Sequence, residues 1–139
     1  MRPELIIFVG LPAAGKSTYY LAHFASTHVQ VSKDLIPKSA RSEVRQRNDI
    51  DTALAAGKSV VVDNTNPSPA GRAPLIALGR RHGARVIAYY FETGVKISLA
   101  RNRLREGNAR IPDVAIFVTR KKLAPPSVGE GFDEVVVIR

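Results

Sequence analysis

The stretch Leu5-Ile6-Ile7-Phe8-Val9-Gly10-Leu11-Pro12-Ala13-Ala14-Gly15-Lys16-Ser17 decides the fold. An unbroken apolar run from Leu5 to Val9 suits a strand buried on both faces of a parallel sheet. The segment Gly10 to Ser17 then matches G-x-x-x-x-G-K-[ST], a phosphate-binding loop. Gly10 and Gly15 permit a tight turn in which the backbone N–H groups around Pro12, Ala13 and Ala14 curl about phosphate oxygens. A helix opening near Lys16 points the positive end of its dipole at the same anion. Lys16 is placed to reach the β- and γ-phosphates, and Ser17 to set its hydroxyl on Mg2+. Thr18 either shares that polar work or faces the seam between helix and sheet. The pattern predicts a protein that binds ATP with Mg2+.

Outward from this loop, short apolar runs alternate with longer mixed stretches, the pattern of a parallel sheet flanked by helices. The spacing predicts a helix from Lys16 to about His28, a strand over Val29 to Val31, and a helix from Ser39 to Ala56 stopped by Gly57. Ser59 to Asp63 reads as a buried central strand. Ser68 is placed to cap a helix with Pro69 in its first turn, although Pro74 predicts a late start or a kink. A strand from Arg85 to Phe91 precedes a basic helix from Val95 to Glu106. Gly107 to Arg110 breaks that helix, Pro112 opens another to about Leu123, and Glu134 to Ile138 makes a last strand. The expectation is an α/β phosphate-loop kinase fold with about five parallel strands and a short arginine-bearing lid, in a single domain spanning 1–139.

The net charge of +9 favours polyanions or substrates with several phosphates, or serves only solubility and ATP; charge alone does not choose. The absence of cysteine excludes disulfides, thiol nucleophiles and cysteine-ligated zinc. No secretory leader is expected, because Met1 to Glu4 lead straight into a short strand. No run reaches membrane-span length, so the expected location is cytoplasmic.

In open α/β sheets ligands sit beyond the carboxyl ends of the strands. Asp34 emerges there after the second strand. It is either the carboxylate that accepts the proton of an attacking hydroxyl or a helix cap. Asp63 ends the third strand and is either a magnesium-site carboxylate or a turn residue. Arg101 and Arg105, four apart, share a face of the predicted basic helix and either close over transferring phosphate as a lid or form a solvated basic surface. Lys38, Arg41, Arg45 and Arg47 suit a phosphate-rich acceptor or a wet helix face. His23, His28 and His82 lack ligand spacing and read as surface or packing residues. Tyr19, Tyr20, Tyr89 and Tyr90 read as core, and Asp49 and Asp51 as helix-surface charges.

In order along the chain, the Gly10–Ser17 loop, Val31-Ser32-Lys33-Asp34, and Val62-Asp63-Asn64-Thr65-Asn66-Pro67 with Arg72 resemble the kinase domain of the 5′-polynucleotide kinase family. The likeness continues through Ala100-Arg101-Asn102, Arg103 to Glu106, Ile111-Pro112, Arg120 to Pro125 and Glu130-Gly131-Phe132, nearly the whole chain. It implies transfer of the γ-phosphate of ATP to a 5′-hydroxyl of DNA or RNA. By that resemblance Asp34 is the general base and Arg41 contacts the acceptor strand; Lys38, Thr65 and Arg72 are further candidates for acceptor binding. Arg101 and Arg105 cover the ATP phosphates with Arg103 alongside, and Arg120 lies where the adenine is held. The chain departs from the family in having Lys33 before the catalytic aspartate, where arginine is usual; the charge stays and the bidentate fork is lost. Two other readings compete: a small-molecule, nucleoside or sugar-nucleotide kinase of the same architecture, and a non-catalytic, ATP-responsive module that binds nucleic acid.

Overall fold

The computed structural model describes residues 2–33 and 41–139. In chain order it contains β1 (Glu4–Gly10), α1 (Lys16–His23), β2 (His28–Val31), α2 (Ser42–Ala55), β3 (Ser59–Val62), α3 (Pro69–Arg81), β4 (Arg85–Phe91), α4 (Val95–Arg103), α5 (Asp113–Lys122) and β5 (Glu134–Ile138). The strands form one all-parallel sheet in the order β2-β3-β1-β4-β5. This is the expected α/β class.

Alternation along β1 divides the core between two faces. Leu5, Ile7 and Val9 join Val60 and Val62 on one face, against Ile50 and Leu54 of α2 and Leu75 and Ile76 of α3. Ile6 and Phe8 point the other way with Val61, Ile87 and Phe91, against Tyr20 of α1. Phe8 sits in a group of rings, 4.9 Å from Phe91 and 6.3 Å from Tyr19. A fully buried aliphatic or aromatic side chain contributes about 1.5–3 kcal/mol, so the apolar run of β1 alone supplies on the order of 10 kcal/mol of burial.

The strand order places the site. From β1 the chain crosses to β2 on one side, and after β3 it crosses back to β4 on the other, so β1 lies between β3 and β4. A cleft opens above the carboxyl ends of strands at such a reversal. The phosphate loop leaves β1 at that point.

Several boundaries differ from expectation for tertiary reasons. Helix α1 stops at His23 because Phe24 turns inward onto Phe8 and Tyr89, and its carbonyl accepts the Thr27 and His28 N–H groups at 3.1 and 2.9 Å. His28 opens β2 instead, with Nε2 2.9 Å from Glu4 Oε1 across the intervening β3. Helix α3 begins as predicted: Ser68 Oγ accepts the Gly71 N–H at 3.1 Å with Pro69 in the first turn. Pro74 neither delays it nor divides it, since it stands exposed in the second turn of one continuous helix.

Helix α4 ends at Arg103, three residues before the predicted limit. Asn102 is completely buried and clamps the chain across the lid: Nδ2 donates to the Ile111 carbonyl at 2.7 Å and Oδ1 accepts the Ile111 N–H at 3.1 Å. That bracket turns Leu104 to Arg110 into a loop with a 3-10 turn at Gly107–Ala109. Arg105 consequently lies outside the helix and does not share a helical face with Arg101.

Candidate active site

The phosphate loop has the backbone its motif requires. Ala13 and Gly15 both take left-handed conformations, with φ of 60° and 89°. Gly15 caps α1, and a Cβ built on it would stand 3.3 Å from Arg101 Nη1, so glycine is needed both for the turn and for the approach of that arginine. Left-handed alanine stores about 1–3 kcal/mol of strain, which persists only where the surroundings fix it. Here Gly10 N–H donates to the Thr65 carbonyl at 3.0 Å, and Asn66 Nδ2 donates to the Phe8 carbonyl at 2.8 Å. The β3–α3 loop is thereby stitched to the end of β1.

Lys16 is 8 % exposed, and its ammonium folds over the loop, 3.2 Å from the Gly10 carbonyl and 2.5 Å from that of Leu11. Ser17 Oγ donates to Asp63 Oδ2 at 2.7 Å, and Gln30 Nε2 donates to the same oxygen at 2.9 Å. One residue on, Asn64 Oδ1 accepts the Lys33 N–H at 2.9 Å while its Nδ2 donates to Gln46 Oε1 at 2.5 Å. Burial, joined by the nearby Asp63 charge, pushes the Tyr20 phenol above its ordinary value. It stays a neutral donor and holds the His28 carbonyl at 2.6 Å.

Lys16, Ser17, Asp63 and Asn64 line one cleft of about 1390 Å³; Gln30 and Tyr20 stand behind it. One wall carries the phosphate loop with Lys16 and Ser17, the floor carries Asp63 to Asn66, and a second wall carries Lys33, Gln46 and Arg47. Arg105 and Asn108 of the loop after α4 line it as well. A family described as an AAA domain matches residues 5–126.

The chain belongs to this AAA-domain family.

Relatives of the AAA domain narrow the comparison. The chain is 24 % identical to a bifunctional polynucleotide phosphatase/kinase of Schizosaccharomyces pombe, over 95 % of this chain and 32 % of that protein. It is 26 % identical to an Acanthamoeba polyphaga mimivirus protein of the same description in provisional form, over 99 % of this chain and 33 % of that protein. The chain thus spans about a third of the length of these relatives. Among solved structures, a fungal RNA kinase superposes with a TM-score of 0.76 at 16 % identity, covering 100 % of this chain and 38 % of that one. A gluconokinase from Sinorhizobium meliloti superposes with a TM-score of 0.70 at 19 % identity, covering 99 % and 83 %. The AAA domain therefore has the phosphate-loop kinase fold, and the resemblance to polynucleotide kinases extends along its whole length.

The remaining predicted residues fall as follows. Pro12, Ala13, Ala14 and Thr65 line the cleft, whereas Thr18 is exposed in the first turn of α1 and does not. Arg41 sits at the start of α2, and Arg120 is exposed near the end of α5 beside Lys122, which does line the cleft. Asp34 and Lys38 lie outside the described residues. Arg72 corrects the expectation of acceptor contact. It is completely buried, with Nε and Nη2 donating to the two Glu130 oxygens at 3.0 and 3.3 Å and Nη1 to the Asn66 and Ala124 carbonyls at 3.1 and 3.0 Å. It locks the β3–α3 loop, the segment after α5 and the turn before β5 together, because a buried guanidinium must have its donors met.

Sequence reasoning passed over Gln30 and Gln46, since a single glutamine has no spacing signature. Asn64 and Asn66 stood inside the quoted motif without a stated role. No helix of the described residues is long and apolar enough to cross a membrane.

Proposed function

We propose that this domain is an ATP-dependent kinase that transfers the γ-phosphoryl group to the 5′-hydroxyl of a polynucleotide. The observation that carries this reading is the single continuous cleft. It joins a strained phosphate loop to a wall bearing Lys33 and Arg47, with room for a second phosphate-rich substrate beside the first. The two relatives described as polynucleotide phosphatase/kinases support that choice of acceptor.

In this reading the loop N–H groups and the α1 N-terminus bind the triphosphate, and Lys16 exchanges its loop carbonyls for β- and γ-phosphate oxygens. Arg101, standing over Gly15, and Arg105 on the lid offset the charge spread over the transferring group. Arg120 flanks the nucleoside, and Lys38, Arg41 and Thr65 attend the acceptor.

The residues also fit magnesium. Ser17 and Asp63 offer two hard oxygen donors 2.7 Å apart, and no group of three or more His, Cys, Asp or Glu among the described residues makes a dedicated metal cage. That donor set suits an ion whose other ligands are phosphate and water. When bound there, magnesium would neutralise charge on the phosphate oxygens. Asp34 accepts the proton of the attacking 5′-hydroxyl as its oxygen bonds to the γ-phosphorus, and the bond to the β–γ bridging oxygen breaks to release ADP. The backbone leading to Asp34 is held by Asn64 through the Lys33 N–H.

The test is incubation with magnesium, γ-labelled ATP and 5′-hydroxyl DNA and RNA oligonucleotides. Label on the 5′ end that disappears in Asp34→Asn, with a fall of 10²–10⁴-fold typical of removing a general base, supports the reading. ATP binding without labelled oligonucleotide sinks it and directs the search to small hydroxyl acceptors. Nucleic-acid binding that responds to ATP without transfer establishes the non-catalytic alternative.

A further inference from the structure

Asp63 is buried at the end of β3, and two side chains donate to the same oxygen, Oδ2: Ser17 Oγ at 2.7 Å and Gln30 Nε2 at 2.9 Å. Gln30 comes from the neighbouring strand. It is in register with Val61, two residues before Asp63, so Gln30, Val61 and Asp63 share one side of the sheet. Val61 there packs with Ile6, Phe8 and Tyr20. An apolar side chain would suit a strand position in that company, and a half-buried amide is tolerated only where it is hydrogen-bonded. The Gln30 amide donates to Asp63.

We propose that Gln30 is a positioning residue for the magnesium–nucleotide site, fixing the rotation of the Asp63 carboxylate so that Oδ2 stays on the Ser17 hydroxyl. The chemistry of the side chain suits the task. A carboxylate that carries one hydrogen bond from Ser17 alone can turn about its Cβ–Cγ bond, and a second donor on the same oxygen stops that rotation. Lysine or arginine in place of Gln30 would cancel the charge that attracts the cation. A neutral amide holds the oxygen and leaves the charge intact. Outer partners of this kind typically change metal affinity 10–100-fold when removed.

The inference rests on the proposed reading only as far as its magnesium–ATP site; it needs no particular acceptor. The experiment is calorimetric titration of ATP into wild type, Gln30→Ala and the volume-matched Gln30→Met, at a series of magnesium concentrations and in EDTA. The expected result is an about tenfold rise in the magnesium concentration that half-maximally tightens ATP binding, with affinity in EDTA unchanged. Turnover lost at low magnesium should return at high magnesium.

A midpoint within twofold of wild type in either folded variant overturns the inference. Equal loss of ATP affinity with and without magnesium also overturns it, since that marks a structural role. If Gln30→Ala folds poorly, Gln30→Met carries the same test with the strand's packing kept. Wild type that tightens on ATP with magnesium yet labels no oligonucleotide refutes the acceptor and leaves Gln30 in its role. Wild type whose ATP affinity ignores magnesium refutes the metal site and the role of Gln30 together.

Discussion

Removing Glu130 should cost the domain about as much stability as truncating a buried core side chain. Among the described residues its carboxylate is the only acidic partner of Arg72, which is completely buried. After Glu130→Ala the guanidinium keeps two backbone carbonyls and loses its counter-charge. Breaking a buried ion pair from one side costs about 3–5 kcal/mol. The Glu130 side chain is 14 % exposed, so water can enter the vacated corner, and the lower end, about 3 kcal/mol, applies. At about 3–4 °C per kcal/mol for a chain of this length, Tm falls by roughly 10 °C. Glu130→Gln keeps one acceptor but sets an NH2 group against Nη2, for a loss of about 1–2 kcal/mol. Arg72→Met with Glu130→Met should recover most of the deficit, because two apolar groups leave no unpaired charge. Urea unfolding with a common m-value reads these differences, and acceptor KM well below Tm should be unchanged in Glu130→Gln. A loss under about 1 kcal/mol in Glu130→Ala would refute the buried-pair argument.

Two further tests address the lid and pH. Asn102→Ala leaves the Ile111 N–H and carbonyl without their partner, at a cost of about 1–3 kcal/mol, and limited trypsin digestion at Arg105 and Arg110 should accelerate roughly tenfold; unchanged protection would show that the clamp does not restrain the loop. Asp51 joins α2 to α3 through His82 at 2.6 Å and Arg81 at 2.9 Å, and these hydrogen bonds, His82 first, hold its carboxyl below the ordinary value of 3.8. Because the folded-state value is depressed, the stabilisation is complete above pH 3.8 and is lost as pH falls through the lower folded value. The Tm gap between wild type and Asp51→Asn should therefore hold at mildly acidic pH and close only below that value; a gap that is pH-independent down to full protonation would contradict the linkage.

What could be read from the chain was local. The run Leu5 to Val9 and the fixed spacing of Gly10, Gly15, Lys16 and Ser17 carry their own physics, so the central strand, the loop and the helix start follow from a dozen residues. Ser68-Pro69 likewise announced α3. The features that escaped depend on partners far away. Arg72 reads as an acceptor contact until Glu130, 58 positions later, is beside it. Asn102 ends α4 early because of Ile111, and nothing within the helix predicts that. Gln30 belongs to the site only because β2 lies next to β3, a neighbour that only the sheet order reveals.

The hydrogen bonds from Gly10 to Thr65 and from Asn66 to Phe8 divide the cleft into unequal halves. The phosphate loop and the Asp63–Asn66 segment are sewn into the centre of the sheet by one backbone bond and one side-chain amide. Among the described residues, the opposite wall meets that segment through the Lys33 N–H to Asn64 and the Asn64–Gln46 bond, with an exposed Lys33–Glu43 ion pair inside the wall. If the domain is the kinase proposed above, changes at positions 41–47, beyond Asp34, can reshape which acceptor it takes while the machinery that handles the triphosphate stays intact. A scaffold so divided lends itself to acquiring new acceptors by exchanging one short segment, and grafting that segment between relatives should move preference without loss of the fold.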